Sequence, residues 1–98
     1  MKLVIEAIRG VEDGKKHIYT KFPISIGRFS DSDFQINDPF VSRHHCTINK
    51  ESNRFIVRDL DSTNGTFLNG DVLKSPLPLS DGDKLQFGES VLKMQIEN

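Results

Sequence analysis

The chain has 98 residues, enough for one compact domain and too few for two ordinary ones. It is 36% hydrophobic and 28% charged, with seven Phe and no Trp, a make-up that fits a folded globular protein and argues against disorder. A formal net charge of −1 supplies no overall basic field for nucleic acid, so any anion site must be a local cluster.

In chain order the predicted strands are 2–9, 16–20, 23–27, 34–36, 44–50, 54–60, 66–68, 71–74, 84–88 and 90–97. The first carries the run Leu3-Val4-Ile5, which Glu6 interrupts, so it is too short and too polar for a signal peptide or a membrane span. Turn-forming residues separate the strands: Glu12-Asp13-Gly14, Ser30 to Asp33, Asn37-Asp38-Pro39, Glu51-Ser52-Asn53, Asp61 to Gly65, Asn69-Gly70 and Ser80-Asp81-Gly82. Punctuation this regular indicates an all-β sandwich or barrel, and nothing between the turns is long enough for a typical helix. Alternation supports strands: Cys46 and Ile48 fall on one face, as do Phe55 and Val57, Leu85 and Phe87, and Leu92, Met94 and Ile96. Asn69-Gly70 marks a two-residue hairpin. One domain, residues 1–98, fills the sequence, with no internal repeat or linker.

Hydrogen-bonding side chains concentrate beside turns in Gly27-Arg28, in Ser42-Arg43-His44-His45 and in Ser62-Thr63-Asn64-Gly65-Thr66. Each segment falls at a predicted strand end or in a loop, where a rigid scaffold usually presents binding groups. Guanidinium groups, hydroxyls, an amide and loop N–H groups suit a phosphate, which wants positive charge and many donors around its oxygens. Asp59 and Asp61 lie nearby and would repel a dianion if they pointed inward.

These three segments, in this order, resemble the signature of the forkhead-associated (FHA) family. Asp59, Asn69-Gly70 and Gly82-Asp83 followed by Gly88 add to the likeness, which runs from about residue 3 to about residue 96. The resemblance implies an all-β, two-sheet β-sandwich of about eleven short strands, of the FHA/SMAD-like kind, with binding loops at one end. It implies a non-catalytic module that binds phosphothreonine in partner proteins. Arg28, Ser42, Arg43 and Thr63 then match phosphate-binding positions, and Asn64 matches the residue that bonds the peptide main chain. Gly27, His45 and Gly65 match positions that shape the loops. Selectivity for threonine over serine would need a small apolar pocket for the methyl group, worth about 1 kcal/mol by area.

Other readings are weaker. His44 and His45 are adjacent, so on a strand they point to opposite faces and cannot readily chelate one ion. With His17 the only further histidine and Cys46 the only cysteine, no metal, cofactor or disulfide is expected. Ser42, His45 and Asp59 contain the residue types of a hydrolase triad, but no nucleophile elbow surrounds the serine, and no enzyme is expected. Cys46 reads as a small core residue, and a lone cysteine fits a reducing, cytoplasmic setting. The expected partner is a Thr-phosphorylated protein or peptide, with no nucleic acid and no membrane, and the domain could be a module of a larger protein. The alternative is a phosphate-independent interaction module that uses its sheet surface.

Overall fold

A computed structural model describes all residues, 1–98. Its eleven strands are β1 (Lys2–Arg9), β2 (Lys16–Tyr19), β3 (Ile24–Gly27), β4 (Phe34–Gln35), β5 (Cys46–Glu51), β6 (Arg54–Asp59), β7 (Phe67–Leu68), β8 (Asp71–Val72), β9 (Leu77–Pro78), β10 (Lys84–Phe87) and β11 (Ser90–Glu97). Two sheets form, a six-stranded one in the order β2-β1-β11-β10-β7-β8 and a five-stranded one in the order β4-β3-β5-β6-β9. All the paired strands run antiparallel except β3 and β4, where Ile26 stands beside Phe34 in a parallel pair. The all-β sandwich expected from the sequence is the fold observed.

Alternation places the core. In β11, Leu92 and Met94 are fully buried while Lys93 and Gln95 are exposed. Leu85 and Phe87 of β10 face the same interior, as do Cys46 and Ile48 of β5 and Phe55 and Val57 of β6. These residues belong to an 18-residue apolar cluster that fills the space between the sheets. Each large side chain buried there contributes about 1.5–3 kcal/mol of transfer free energy. No helix of the protein is long and apolar enough to cross a membrane.

Two details differ from the sequence reading. The strand β9 pairs Leu77 and Pro78 with Val57 and Ile56, and its two residues are too few to show any alternation. The strand expected over 44–50 begins instead at Cys46, so His44 and His45 lie in the preceding loop.

The register of the five-stranded sheet decides where the three polar segments go. Ile26 near the end of β3 pairs with Cys46 at the start of β5, and Cys46 pairs with Asp59 at the end of β6. The segments that follow β3, precede β5 and follow β6 therefore leave the sheet at one end.

Candidate functional site: a loop cluster at one end of the sandwich

Backbone bonds lock the first two segments together. Arg28 N donates to Ser42 O at 3.0 Å, Phe29 N to Arg43 O at 3.2 Å, and His45 N to Ile26 O at 3.0 Å. The approach is so close that a Cβ on Gly27 would collide with the Arg43 carbonyl oxygen. Only glycine fits there, and backbone cannot yield as a flexible side chain would.

The third segment is held by one carboxylate. Asp59 Oδ2 accepts the Ser62 N–H at 3.0 Å, and Oδ1 accepts the hydroxyls of Ser62 at 2.6 Å and Thr66 at 2.7 Å. Ser62 Oγ in turn accepts the N–H of Gly65 at 3.0 Å. Gly65 has φ +85, a left-handed conformation in which a side chain would be strained. Burial pushes the Asp59 carboxyl upward, but the bonds from Ser62 and Thr66 and the nearby His45 outweigh it and hold the group below its ordinary value. Asp59 thus spends its charge on the loop, and the repulsion anticipated from the sequence is answered by these donors.

Asp59→Asn puts an amide N–H against one of these donors and is expected to cost about 1–3 kcal/mol. Because the carboxyl is depressed in the folded state, its stabilisation is present above the unfolded value of about 3.9 and lost as pH falls through the lower folded value. Thermal melts between neutral and strongly acid pH should show the wild type losing this increment and Asp59→Asn lacking it.

His45 joins all three segments. It is fully buried, its Nδ1 accepts the Ser42 N–H at 3.1 Å, and its Nε2 lies 2.9 Å from Gly65 O. Since Nδ1 faces a donor and Nε2 an acceptor, the neutral ring with its proton on Nε2 is the form that fits. Burial lowers the His45 pKa, against the smaller opposing effects of the Gly65 carbonyl and Asp59. The ring also packs edge-on against Phe87, with centroids 4.8 Å apart. His45 bonds the backbone of Ser42 and leaves its hydroxyl alone, and Asp59 stands 4.0 Å from Nε2. That wiring is not a Ser-His-Asp relay. Burial also pushes the Cys46 thiol up, which keeps it protonated in the core.

On this frame stand the exposed groups. Arg28 Nε donates to Val41 O at 3.0 Å, which fixes the plane of the guanidinium and leaves its two terminal nitrogens free. The Lys and Arg ion pairs of the chain join Lys15 to Glu12 and Arg58 to Glu51, so neither Arg28 nor Arg43 has a carboxylate partner. Ser42 Oγ accepts the Thr63 N–H at 3.0 Å, and its own proton remains available to donate. Asn64 Nδ2 donates to Phe40 O at 2.8 Å, so Oδ1 and the second N–H are left for a ligand. Arg28, Arg43, Thr63 and Asn64 are exposed and Ser42 is half-buried. His44, given no role from sequence, is exposed and lies against Phe29 with ring centroids 5.4 Å apart.

Sequence reasoning missed Asp38, which supports the site from below. Its side chain is buried, accepting the Phe40 N–H through Oδ1 at 2.9 Å and the Ser90 hydroxyl through Oδ2 at 3.0 Å. It thereby sets the segment whose Phe40 and Val41 carbonyls hold Asn64 and Arg28. Beside Asn37 and Pro39 it read only as a turn residue. The surface has two concavities, of about 550 and 390 Å³, and neither includes Arg28, Ser42 or Asn64. The loop cluster is an open surface, suited to an extended segment lying across it.

A β-sandwich that gathers anchored, unpaired cations and hydroxyls on loops at one end is a ligand-presenting scaffold. A family model of the FHA domain matches residues 24–88, and the chain belongs to this family. It is 37% identical over 81 residues to the glycogen accumulation regulator GarA of Mycobacterium tuberculosis, a match covering 83% of this chain and 49% of the regulator. It is 33% identical over 81 residues to the oxoglutarate dehydrogenase inhibitor of Corynebacterium jeikeium, covering 83% of this chain and 56% of that protein. The chain thus spans about half the length of the curated relatives it matches. Among solved structures, it superimposes with a TM-score of 0.89 on one described for phosphothreonine-dependent FHA domain interactions. There the identity is 28%, with 100% of this chain and 99% of the other covered.

Proposed function

We propose that this domain is a non-catalytic adaptor that binds phosphothreonine in partner proteins through the three loops at the end of the five-stranded sheet. The observation that carries the reading is the guanidinium of Arg28, pinned by Nε and with its terminal nitrogens free of any carboxylate. Phosphothreonine brings about −1.5 to −2 charges and three acceptor oxygens. Arg28 supplies charge-assisted bonds, Ser42 and Thr63 supply hydroxyls, and Arg43 adds charge at the rim. Asn64 fixes the peptide's direction through its free Oδ1 and N–H, while Gly27, His45 and Gly65 hold the loops. An unphosphorylated threonine would leave these donors without an acceptor, which is the source of discrimination. The FHA family membership and the described phosphothreonine dependence of a related structure support the same reading. Residues 1–98 act in it as one FHA domain, working in the cytoplasm alone or as a module of a larger protein.

Titration calorimetry with a phosphothreonine peptide and its unphosphorylated twin tests the proposal. Ser42→Ala and Asn64→Ala should each lose about 1–3 kcal/mol of binding, the range for a bond to a charged or otherwise unpaired group. Ser42→Ala also frees the Thr63 N–H and Asn64→Ala the Phe40 carbonyl, both in exposed loops, so melting should change little. Equal affinity for the two peptides, or unchanged affinity in both variants, would remove these loops from the function.

A further inference from the structure

The larger concavity, about 550 Å³, lies on the outer face of the six-stranded sheet and is lined by Ile8, Arg9, Lys84, Gln86 and Val91 with the Asn69-Gly70 turn. A β-bulge builds it. In β1 the register passes from Ala7 opposite Leu92 to Arg9 opposite Val91, so Ile8 is an extra residue. Successive residues of a regular strand point to opposite faces, but a bulge places two residues against one and re-aims their side chains. Here it lets Ile8 and Arg9 line the same concavity, an aliphatic group beside a cation.

The charged residues that line the concavity, Arg9 and Lys84, are both positive. Lys84 of β10 stands directly opposite Lys93 of β11, both facing outward because their neighbours Leu85 and Leu92 are in the core. Like charges directly opposite on adjacent strands destabilise a sheet, so this pair works against the fold. No acidic residue lines the concavity. Glu6 stands opposite Lys93 and Lys16 on the same face, yet none of the three forms an ion pair. Asp83, next to Lys84, is taken up by Asn69 Nδ2 at 3.0 Å and by Ser80 N at 2.7 Å. A chain of net charge −1 therefore carries a local patch of unpaired cations around an aliphatic floor, and its lining includes none of Arg28, Ser42, Thr63 and Asn64.

From this arrangement we infer a second docking surface, on the bulged outer face of the six-stranded sheet, for an acidic segment of a partner protein that inserts an aliphatic side chain between Arg9 and Lys84. The floor of Ile8 and Val91 takes the aliphatic group, and Arg9, Lys84 and Lys93 meet the flanking carboxylates. A nucleic acid fits less well, since the lining offers no aromatic ring for a base to stack on. The surface is independent of phosphate, so a partner could be held at two places, which raises avidity without a stronger contact at either.

The test uses the whole chain and the unphosphorylated, acetylated peptide Glu-Asp-Leu-Glu-Leu-Asp-Glu, followed by amide chemical shifts. Shift changes are expected at Ile8, Arg9, Lys84 and Val91 and not at Arg28 or Ser42. Reversing the charge in the double variant Arg9→Glu, Lys84→Glu should weaken this binding by about tenfold or more, with phosphothreonine-peptide affinity unchanged. The neutral pair Arg9→Gln, Lys84→Gln should give a smaller loss, and it keeps the test valid if the reversed variant folds poorly. The inference is overturned if the peptide shifts nothing on this face or shifts only the recognition loops. It is equally overturned if both double variants bind the peptide as wild type does, or if a single-stranded oligonucleotide takes this face in preference to the peptide. Failure of the phosphothreonine reading would appear separately, as lost dependence on the phosphate.

Discussion

Arg28→Lys should lose phosphothreonine-peptide affinity by roughly tenfold or more, about 1.4 kcal/mol per decade, although it keeps the charge. The reason lies in how the side chain is divided. Nε is committed to the Val41 carbonyl at 3.0 Å, and the terminal nitrogens of the same rigid plane project from that anchor. A guanidinium can thus be fixed by one edge and offer two parallel donors on another. Lysine has a single nitrogen on a flexible stem, so it cannot be anchored through one atom while presenting two parallel donors from others. Arg28→Ala should lose more, since bonds to a charged group are worth about 1.5–3 kcal/mol each. Salt separates this mechanism from diffuse attraction. If Arg28 acted only as a positive field, Lys would restore most of the affinity and added salt would abolish the remainder. With direct contact, a gap between Arg and Lys persists at high salt because geometry has been damaged. Calorimetry on wild type, Arg28→Lys and Arg28→Ala at low and high salt gives the answer, and near wild-type binding by Lys at both salts rules out the direct role.

The fold was legible in the sequence because most strands carry the period of a half-buried sheet. Leu85 and Phe87, or Leu92 and Met94, declare their inward face by alternation alone. The strand Leu77–Pro78 could not be read in that way, since two residues define no period and proline argues against a strand. The three polar segments were visible as clusters, but what binds them together is mostly carbonyl oxygen, which every residue has and no motif reports. Nothing in Val41 or Phe40 as residue types says that their carbonyls hold Arg28 and Asn64. The carboxylates misled for a related reason. Asp59 read as a threat to a bound anion, whereas Ser62 and Thr66, three and seven residues on, are the donors that occupy it. Asp38 read as a turn former because its partner, Ser90, is distant in sequence and adjacent only after both sheets have formed. The bulge at Ile8 left no trace either, because an extra residue in one strand is defined by the register of its partner.

His45→Ala should be strongly damaging to stability, on the scale of truncating a large core side chain. The ring is fully buried, and its removal strands the Ser42 N–H and the Gly65 carbonyl while emptying the contact with Phe87. Unsatisfied groups cost about 1–3 kcal/mol each, and the vacated space adds to that, for a total of at least about 3 kcal/mol. At about 4–8 °C per kcal/mol for a domain of this size, the melting temperature should fall by at least about 12 °C. Binding should weaken with it, because the ring ties the Ser42 loop to the Gly65 loop. The pH dependence identifies the cause. The neutral ring accepts a bond at Nδ1, and a proton there would face the Ser42 N–H, so the folded state resists protonation. A histidine depressed in the folded state contributes stability that is fully present above its unfolded value of about 6.5. Below that value the unfolded chain takes up the proton first, and the contribution is lost as pH falls through the folded value. His45→Ala has no such contribution to lose, so the stability gap between wild type and variant should narrow on acidification from neutral pH. Denaturant melts of both proteins on either side of pH 6.5 would measure it. A gap that stays constant or widens would mean that the ring is not held neutral, and a variant that melts like wild type yet fails to bind would make His45 a contact residue and not a support.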